Sequence, residues 1–254
     1  MIKIAITGIN GRMGTMITEI VLAQPDMELV AGFDLKGGRQ VGNITVSDVA
    51  GIDKVLQATK PDVLIDFTIA KASVENVKHA AANGVNLIVG TTGLDEAQRA
   101  EMKAAIDGKV AAMISPNYSV GVQIFFKLLR EAAMRLEGCD IEVIEAHHNK
   151  KQDAPSGTAL KAADVISSAL KEKPPYVYGR EGVAPRGNEI GIHAVRGGDI
   201  VGDHTVLFAC EGERIEIKHQ AHSRQMFASG AVKAARWIVG QKPGVYSMDD
   251  MFKE

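Results

Sequence analysis

A short apolar run, Lys3–Thr7, breaks into the glycine-rich turn Gly8–Gly14. Met13, Met16, Ile17, Ile20 and Val21 then recur at helical spacing. This predicts a buried strand that turns directly into a helix from about Arg12 to Leu22, ended by Pro25. The pattern repeats. Leu29–Asp34 reads as a strand, and Asp62–Phe67, after Pro61, as another. Ser73–Asn83 is helical. Asn86–Gly90 is a strand running into the GTTG loop at Gly90–Gly93. Asp95–Ile106 is helical and Val110–Ile114 is a strand. Strands and helices in alternation imply a parallel sheet covered by helices on both faces.

The pattern changes after Pro116. A long helix over Gly121–Leu136 leads to a strand at Ile141–Ala146, a polar loop, and a helix at Thr158–Leu170. Strands then follow in quick succession at Glu189–Val195, Val201–Cys210 and Arg214–His219, and such short connections suggest antiparallel pairing. Phe227–Val239 is a closing helix. The expected architecture is α/β: a Rossmann-like dinucleotide-binding domain plus a second α+β domain with a mixed sheet.

Composition narrows the function classes. The 254 residues carry a formal charge of −2, which gives no global reason to bind nucleic acid or an anionic membrane. No apolar run approaches the roughly 18 to 20 residues of a membrane span. The start, MIKIAITGING, lacks the features of an export signal. Cys139 and Cys210 show neither CxxC nor zinc spacing. Read as two isolated thiols, they point to a reducing cytoplasm.

Gly8, Gly11 and Gly14 form G-x-x-G-x-x-G, with Asn10 at the place of the usual second glycine. Such a turn lets the backbone approach a pyrophosphate, whose oxygens then meet free N–H groups at the helix start. Asp34 ends the second strand 20 residues after Gly14, where an acid accepts bonds from ribose hydroxyls. An acid there favours NADH over a coenzyme with a 2′-phosphate. Arg12, Lys36 and Arg39 are the cations that would neutralise such a phosphate, so NADPH stays open. The competing view is a glycine turn chosen only for packing.

The segment Glu145–Thr158 holds two histidines and two lysines within five residues, followed by Pro155-Ser156-Gly157-Thr158 at a helix start. A basic loop facing uncapped N–H groups suits a small substrate with carboxylates, and histidine moves protons near neutral pH. Three plainer readings compete. The charges form a solvated loop, Ser156 is only a helix cap, or His147 and His148 hold a metal. Adjacent strand residues point to opposite faces, which argues against the metal, so none is expected.

GINGRMG (8–14), DFT (66–68), GTTG (90–93), SPNYSVGV (115–122), EAHHNKKQDAPSGTAL (145–160) and RGGDIVGDHTV (196–206) together resemble the dihydrodipicolinate reductase family over nearly the whole chain. The resemblance implies NAD(P)H-dependent reduction of 4-hydroxy-tetrahydrodipicolinate in the diaminopimelate route to lysine. It implies a nucleotide domain of residues 1–117 with 225–254. Residues 118–224 would bind the dicarboxylate substrate and build a homotetramer. By the same resemblance His147 is the proton donor, with Lys151 as an alternative. His148, Lys151, Ser156, Gly157 and Thr158 hold substrate carboxylates. Gly8, Asn10, Gly11, Arg12, Met13, Gly14, Asp34, Gly90, Thr91, Thr92, Ser115, Pro116, Asn117 and Tyr118 line the coenzyme. Two positions depart from the family pattern: Leu35 and Ile69 stand where arginine is common. The rivals are another Rossmann reductase and a nucleotide sensor; neither needs the His147–Lys151 loop.

Overall fold

A computed structural model describes residues 1–253. The chain forms two compact units, Met1–Val120 together with the segment from Gln225 onward, and Gly121–Arg224. The first unit opens with β1 (Ile2–Thr7), α1 (Arg12–Leu22) and β2 (Met27–Asp34). A small hairpin, β3 (Gln40–Val41) with β4 (Ile44–Thr45), precedes β5 (Ser47–Asp48) and α2 (Ile52–Thr59). Next come β6 (Val63–Asp66), α3 (Ala70–Ala82), β7 (Asn86–Val89), α4 (Glu96–Ile106) and β8 (Ala111–Ile114). Helix α5 (Val120–Arg135) leads into the second unit, with β9 (Asp140–His147), α6 (Gly157–Ala169), β10 (Tyr176–Tyr178), β11 (Ile190–Arg196), β12 (Gly202–Cys210) and β13 (Glu213–Ala221). The chain returns to the first unit through α7 (Gln225–Ile238) and β14 (Gly244–Tyr246).

The first sheet runs β14-β8-β7-β6-β1-β2-β5, and its strands pair in parallel. A parallel sheet buried on both faces needs apolar side chains on both. Ile4, Ile6, Val63, Ile65, Ile88 and Met113 pack with residues of α1 and α7. Ala5, Leu64, Leu87, Val89 and Ala112 pack with α2, α3 and α4 on the other side. Helix α7 approaches closely because its inner face is small; a Cβ at Gly230 would lie 1.6 Å from the Tyr118 carbonyl oxygen. Helix α1 occupies the span its periodicity predicts. The sequence pattern misses β3, β4, β5, β10 and β14, which are two or three residues long, and the eight-residue α2. Such elements are too short to show a period.

The second sheet is mixed, in the order β10-β11-β9-β12-β13, with α5 and α6 on one face. β12 and β13 pair antiparallel as expected. The expectation that the strands ending at Val195 and starting at Val201 pair with each other fails. β9 lies between them, parallel to β11 and antiparallel to β12. The Gly197–Gly198 turn therefore crosses the end of β9. His147 O accepts from Gly197 N at 2.9 Å, and His148 N donates to Ile200 O at 2.7 Å. Turn length shows where the chain reverses, and strand order depends on contacts that turn length does not report.

The cysteines are also corrected. Cys139 and Cys210, 71 residues apart in sequence, form a disulfide. They lie one step beyond the β9–β12 pair Asp140↔Ala209, so register brings them together. The thiol argument for a reducing compartment falls with this. A bridge over such a separation restricts the unfolded chain and typically adds about 2 to 4 kcal/mol. Thiol titration of the denatured, never-reduced protein should find no free thiol, and two after reduction. Replacing both cysteines by serine should lower stability in urea by that amount. Two reactive thiols before reduction would contradict the bridge.

Candidate active site

At the first glycine turn, space dictates the residue types. Gly8 has φ +67°, and a Cβ there would lie 3.0 Å from Thr68 Cγ2. A Cβ on Gly14 would lie 2.1 Å from Gly8 O, so this glycine lets α1 pack onto the turn. Gly11 is the N-cap of α1 and supplies no side-chain acceptor. The first amides of the helix are thus left open to an anion at its positive end. Asp34 closes the far side. Its Oδ2 accepts from Asn10 N at 2.9 Å and its Oδ1 from Leu35 N at 2.8 Å. A carboxylate accepts about four bonds, so each oxygen keeps capacity for a hydroxyl. Arg39 Nη1 donates to Asn10 Oδ1 at 3.0 Å, which sets a cation beside the turn.

These groups border a cleft of about 470 Å³ lined by Gly8, Asn10, Gly11 and Asp34. Leu35 and Ile69 flank it and are 79% and 72% exposed. Apolar side chains left this open suit a flat ring such as adenine. A cradle without room for a Cβ, an uncapped helix start and a strand-end acid together fit a dinucleotide.

Other predicted coenzyme residues are placed differently. Arg12 is exposed at the start of α1, and Met13 packs partly into the core. A Cβ on Gly90 would lie 2.2 Å from the Phe67 ring, so this glycine accommodates a phenyl group. Thr91 is buried; its Oγ1 donates to Asp66 Oδ2 at 2.8 Å and accepts from Thr68 N at 3.1 Å. Thr92 and Pro116 are exposed. Ser115 Oγ donates to Asn117 O at 2.9 Å, and Asn117 Oδ1 accepts from Ser119 N at 2.8 Å. Tyr118 is a core residue. Its hydroxyl is shared between Met113 O at 2.8 Å and Val89 O at 3.0 Å, and burial pushes its phenol well up. Its side chain leaves no polar atom for a coenzyme. The sequence reasoning did not place Phe33, Val49, Phe67, Thr68, Ala72 and Asn76 on the cleft wall. The DFT string held the signal for two of them.

In the second unit β9 alternates, and Ile141, Val143, Glu145 and His147 are its buried residues. Glu145 is shut off from solvent and fully bonded. Its Oε1 accepts from Ser156 N at 2.9 Å and Arg196 Nη2 at 2.8 Å. Its Oε2 accepts from Arg196 Nη1 at 2.8 Å and meets His147 Nδ1 at 2.5 Å. Burial alone raises its carboxyl, but the bonds from Arg196, His147 and the Ser156 amide outweigh this and hold it below the usual range. With Nδ1 turned to Glu145, Nε2 is the free nitrogen of His147. A Cβ at Gly202 would lie 3.0 Å from it, so the glycine keeps that atom uncovered.

His204 stands edge-on to His147, with ring centroids 5.1 Å apart, and its Nε2 lies 3.1 Å from Ser156 Oγ. Burial above all, then the neighbouring His147, pushes its imidazole down to about 4. Ser156 is the N-cap of α6: its Oγ accepts from Ala159 N at 3.2 Å. Ser156 thus caps the helix, with its hydroxyl engaged by Ala159 N and facing His204 Nε2. The amides of Gly157 and Thr158 remain at the open helix start. Lys151 Nζ pairs with Asp153 Oδ1 at 2.9 Å, and this bond, aided by the charge, holds the Asp153 carboxyl below its usual range. His148 has a buried Nδ1 with no hydrogen-bond partner among the described residues. The site thus includes Glu145, Arg196, Gly202 and His204, to which the sequence alone assigned no role. All four lie within or beside strings that carried the resemblance.

Comparison with known proteins agrees across the chain. The family model described as dihydrodipicolinate reductase, N-terminus, matches residues 2–118, and that described as dihydrodipicolinate reductase, C-terminus, matches residues 121–252. The chain is 60% identical over 261 residues to 4-hydroxy-tetrahydrodipicolinate reductase of Methanosarcina barkeri, covering 99% of each. It is 51% identical over 266 residues to the enzyme of that name from Methanocaldococcus jannaschii, covering 99% of this chain and 97% of the relative. Among solved structures it is similar to dipicolinate-bound dihydrodipicolinate reductase from Paenisporosarcina sp. TG-14, with TM-score 0.79, 27% identity and 97% of each chain covered.

His204 makes acid stability a test of this site. Unfolded, the ring takes up a proton near its ordinary 6.5; folded, only near 4. Between those values the unfolded state binds more protons, so stability falls as the pH falls. Urea unfolding at pH 7 and pH 4 should show a loss of up to about 3 kcal/mol from this group. His204→Gln should lack that part of the acid slope. An unchanged slope would mean that the ring is not buried in its neutral form.

Proposed function

The chain belongs to the dihydrodipicolinate reductase family, and from that premise we propose that it reduces 4-hydroxy-tetrahydrodipicolinate (dihydrodipicolinate) to tetrahydrodipicolinate in diaminopimelate and lysine biosynthesis. The observation that carries this reading is the buried Glu145–His147 pair bonded to the Ser156 amide at the open start of α6, with Lys151 on the loop that joins them. Residues 1–117 with 225–254 hold the coenzyme, and residues 118–224 hold the substrate.

The Gly8–Gly11 turn and the uncapped start of α1 suit a pyrophosphate, and Asp34 suits ribose hydroxyls. When bound, the reduced nicotinamide would supply a hydride to an electron-poor carbon of the conjugated cyclic imine that remains once the 4-hydroxyl has left as water. Lys151 and the amides of Gly157 and Thr158 bind the two substrate carboxylates, one of which takes the place of Asp153 on Lys151. His148 Nδ1 offers a further bond. This positive set orients the ring and favours the negative charge that hydride addition creates. His147 delivers the balancing proton from Nε2, while Glu145 fixes which nitrogen does so. His204 and Arg196 hold the groups behind it in place.

NADH is the better coenzyme in this reading, because a 2′-phosphate would meet the Asp34 carboxylate. Arg39, held on Asn10, allows weaker use of NADPH. Ile144 and Val195 are exposed on the second unit. Together with the family resemblance they support a homotetramer built through that sheet. We place the enzyme in the cytoplasm, where the reduced coenzyme pool is kept. No described helix is long and apolar enough to cross a membrane.

The test couples the upstream synthase, fed aspartate semialdehyde and pyruvate, to this protein. Coenzyme oxidation is followed at 340 nm. Oxidation should require both precursors and show a lower KM for NADH than for NADPH. His147→Gln should lower kcat about a hundred- to ten-thousandfold with little change in KM. Lys151→Ala should damage both. Coenzyme binding without turnover would overturn the proposal. Light scattering should give the mass of four 27.1 kDa chains; a monomer would remove the tetramer.

A further inference from the structure

Asp66 ends β6 and is wholly buried, yet among the described residues no lysine, arginine or histidine bonds to it. Five neutral donors surround it instead. Oδ1 accepts from Thr7 Oγ1 at 2.6 Å, Asn76 Nδ2 at 2.8 Å and Thr68 Oγ1 at 2.9 Å. Oδ2 accepts from Ser73 Oγ at 2.5 Å and Thr91 Oγ1 at 2.8 Å. All five point inward, the pattern for a group that only accepts. Burying a carboxylate without a cation is costly unless every lone pair is used. The donors come from four segments: the end of β1 next to Gly8, the β6–α3 loop, the first turns of α3, and the loop after β7.

Three of the donors, Thr7, Thr68 and Asn76, also line the cleft described above. Thr91 does not; it acts through Thr68, whose amide it accepts at 3.1 Å. Its one hydroxyl proton is committed to Asp66. One carboxylate below the cleft floor thus sets the height and direction of wall residues on three segments, a strand end, a loop and a helix. A carboxylate serving only to fill the core would not draw its donors from the residues that face a ligand.

We infer that Asp66 is the positioning residue of the coenzyme cleft and acts on bound coenzyme through Thr68 and Thr91. This rests on the reading of that cleft as the nicotinamide coenzyme site. Asp66→Asn keeps the volume and turns one acceptor into a donor. With the amide nitrogen at the Oδ2 position, the hydroxyls of Ser73 and Thr91 would face a donor where they now donate, and the bond that sets Thr91 under the Thr68 amide would be broken or reversed.

The experiment is calorimetric titration of the full-length protein with NADH and, separately, with dipicolinate in the absence of coenzyme. Thermal unfolding is measured in parallel. Asp66→Asn should weaken NADH binding roughly tenfold or more, the worth of one lost charge-assisted bond. Dipicolinate binding should be unchanged. Thr91→Val should also weaken NADH binding, and the double variant should bind no worse than Asp66→Asn alone. Folded Asp66→Asn protein that binds NADH like the wild type overturns the inference, as do additive effects in the double variant. If Asp66→Asn does not fold, Thr91→Val decides: unchanged NADH affinity overturns it. Wild-type protein that binds neither NADH nor NADPH overturns the coenzyme reading itself, a separate outcome.

Discussion

A carboxylate held away from water survives only where its lone pairs are taken, and Glu145 meets that condition in a way that organises its whole surroundings. Its partners come from three directions: the guanidinium of Arg196 on β11, the ring of His147 two residues further along β9, and the amide of Ser156 ahead of α6. The strand register makes this possible. Glu145 stands opposite Ala194 on one side and His204 on the other, while Arg196 stands opposite His147. One acid therefore fixes the proton-bearing ring, the helix start and the crossing loop together. Removing Arg196, which bonds both carboxylate oxygens, would leave a buried charge without its cation, which is far costlier than losing a surface ion pair.

The first unit meets the same problem with different chemistry. Asp66 is ringed by hydroxyls and an amide, Glu145 by a cation and an imidazole. Neutral donors hold position without placing a positive charge beneath a cleft that already borders the uncapped start of α1. The cation at Glu145 has another use. Arg196 also donates to Asp153 O at 2.6 Å, which ties the basic loop to the strand beneath it. Each unit thus ties loop backbone to a buried acid at or near the end of a central strand.

Strands β1, β2, β6, β7 and β8 of the first sheet, helices α1, α3, α4 and α7 and the glycine turn were legible because each rests on local periodicity or on a backbone need that only glycine meets. Arg12 and Leu22 bound α1 in the pattern and in the fold alike. What escaped depends on contacts between distant segments. Nothing near Glu189 or Val201 reveals that β9 comes between those strands, so Arg196 and His204 could not be placed beside Glu145. The cysteine pairing was hidden for the same reason. For Tyr118 and Ser156 the sequence shows a polar group and not the neighbour its hydroxyl bonds. A carbonyl takes the one, and the helix's own third amide takes the other.

The Cys139–Cys210 bridge closes one end of the β9–β12 ladder, and His147 lies at the other. In a sheet, sliding one strand by a single residue turns each side chain to the opposite face. Such a slip here would carry Glu145 and His147 out of their pocket and bring Ile144 and Ala146 into it. The covalent link forbids that slip. It acts as a register pin, and the two strands can part only by fraying from the His147 end, never by sliding past each other.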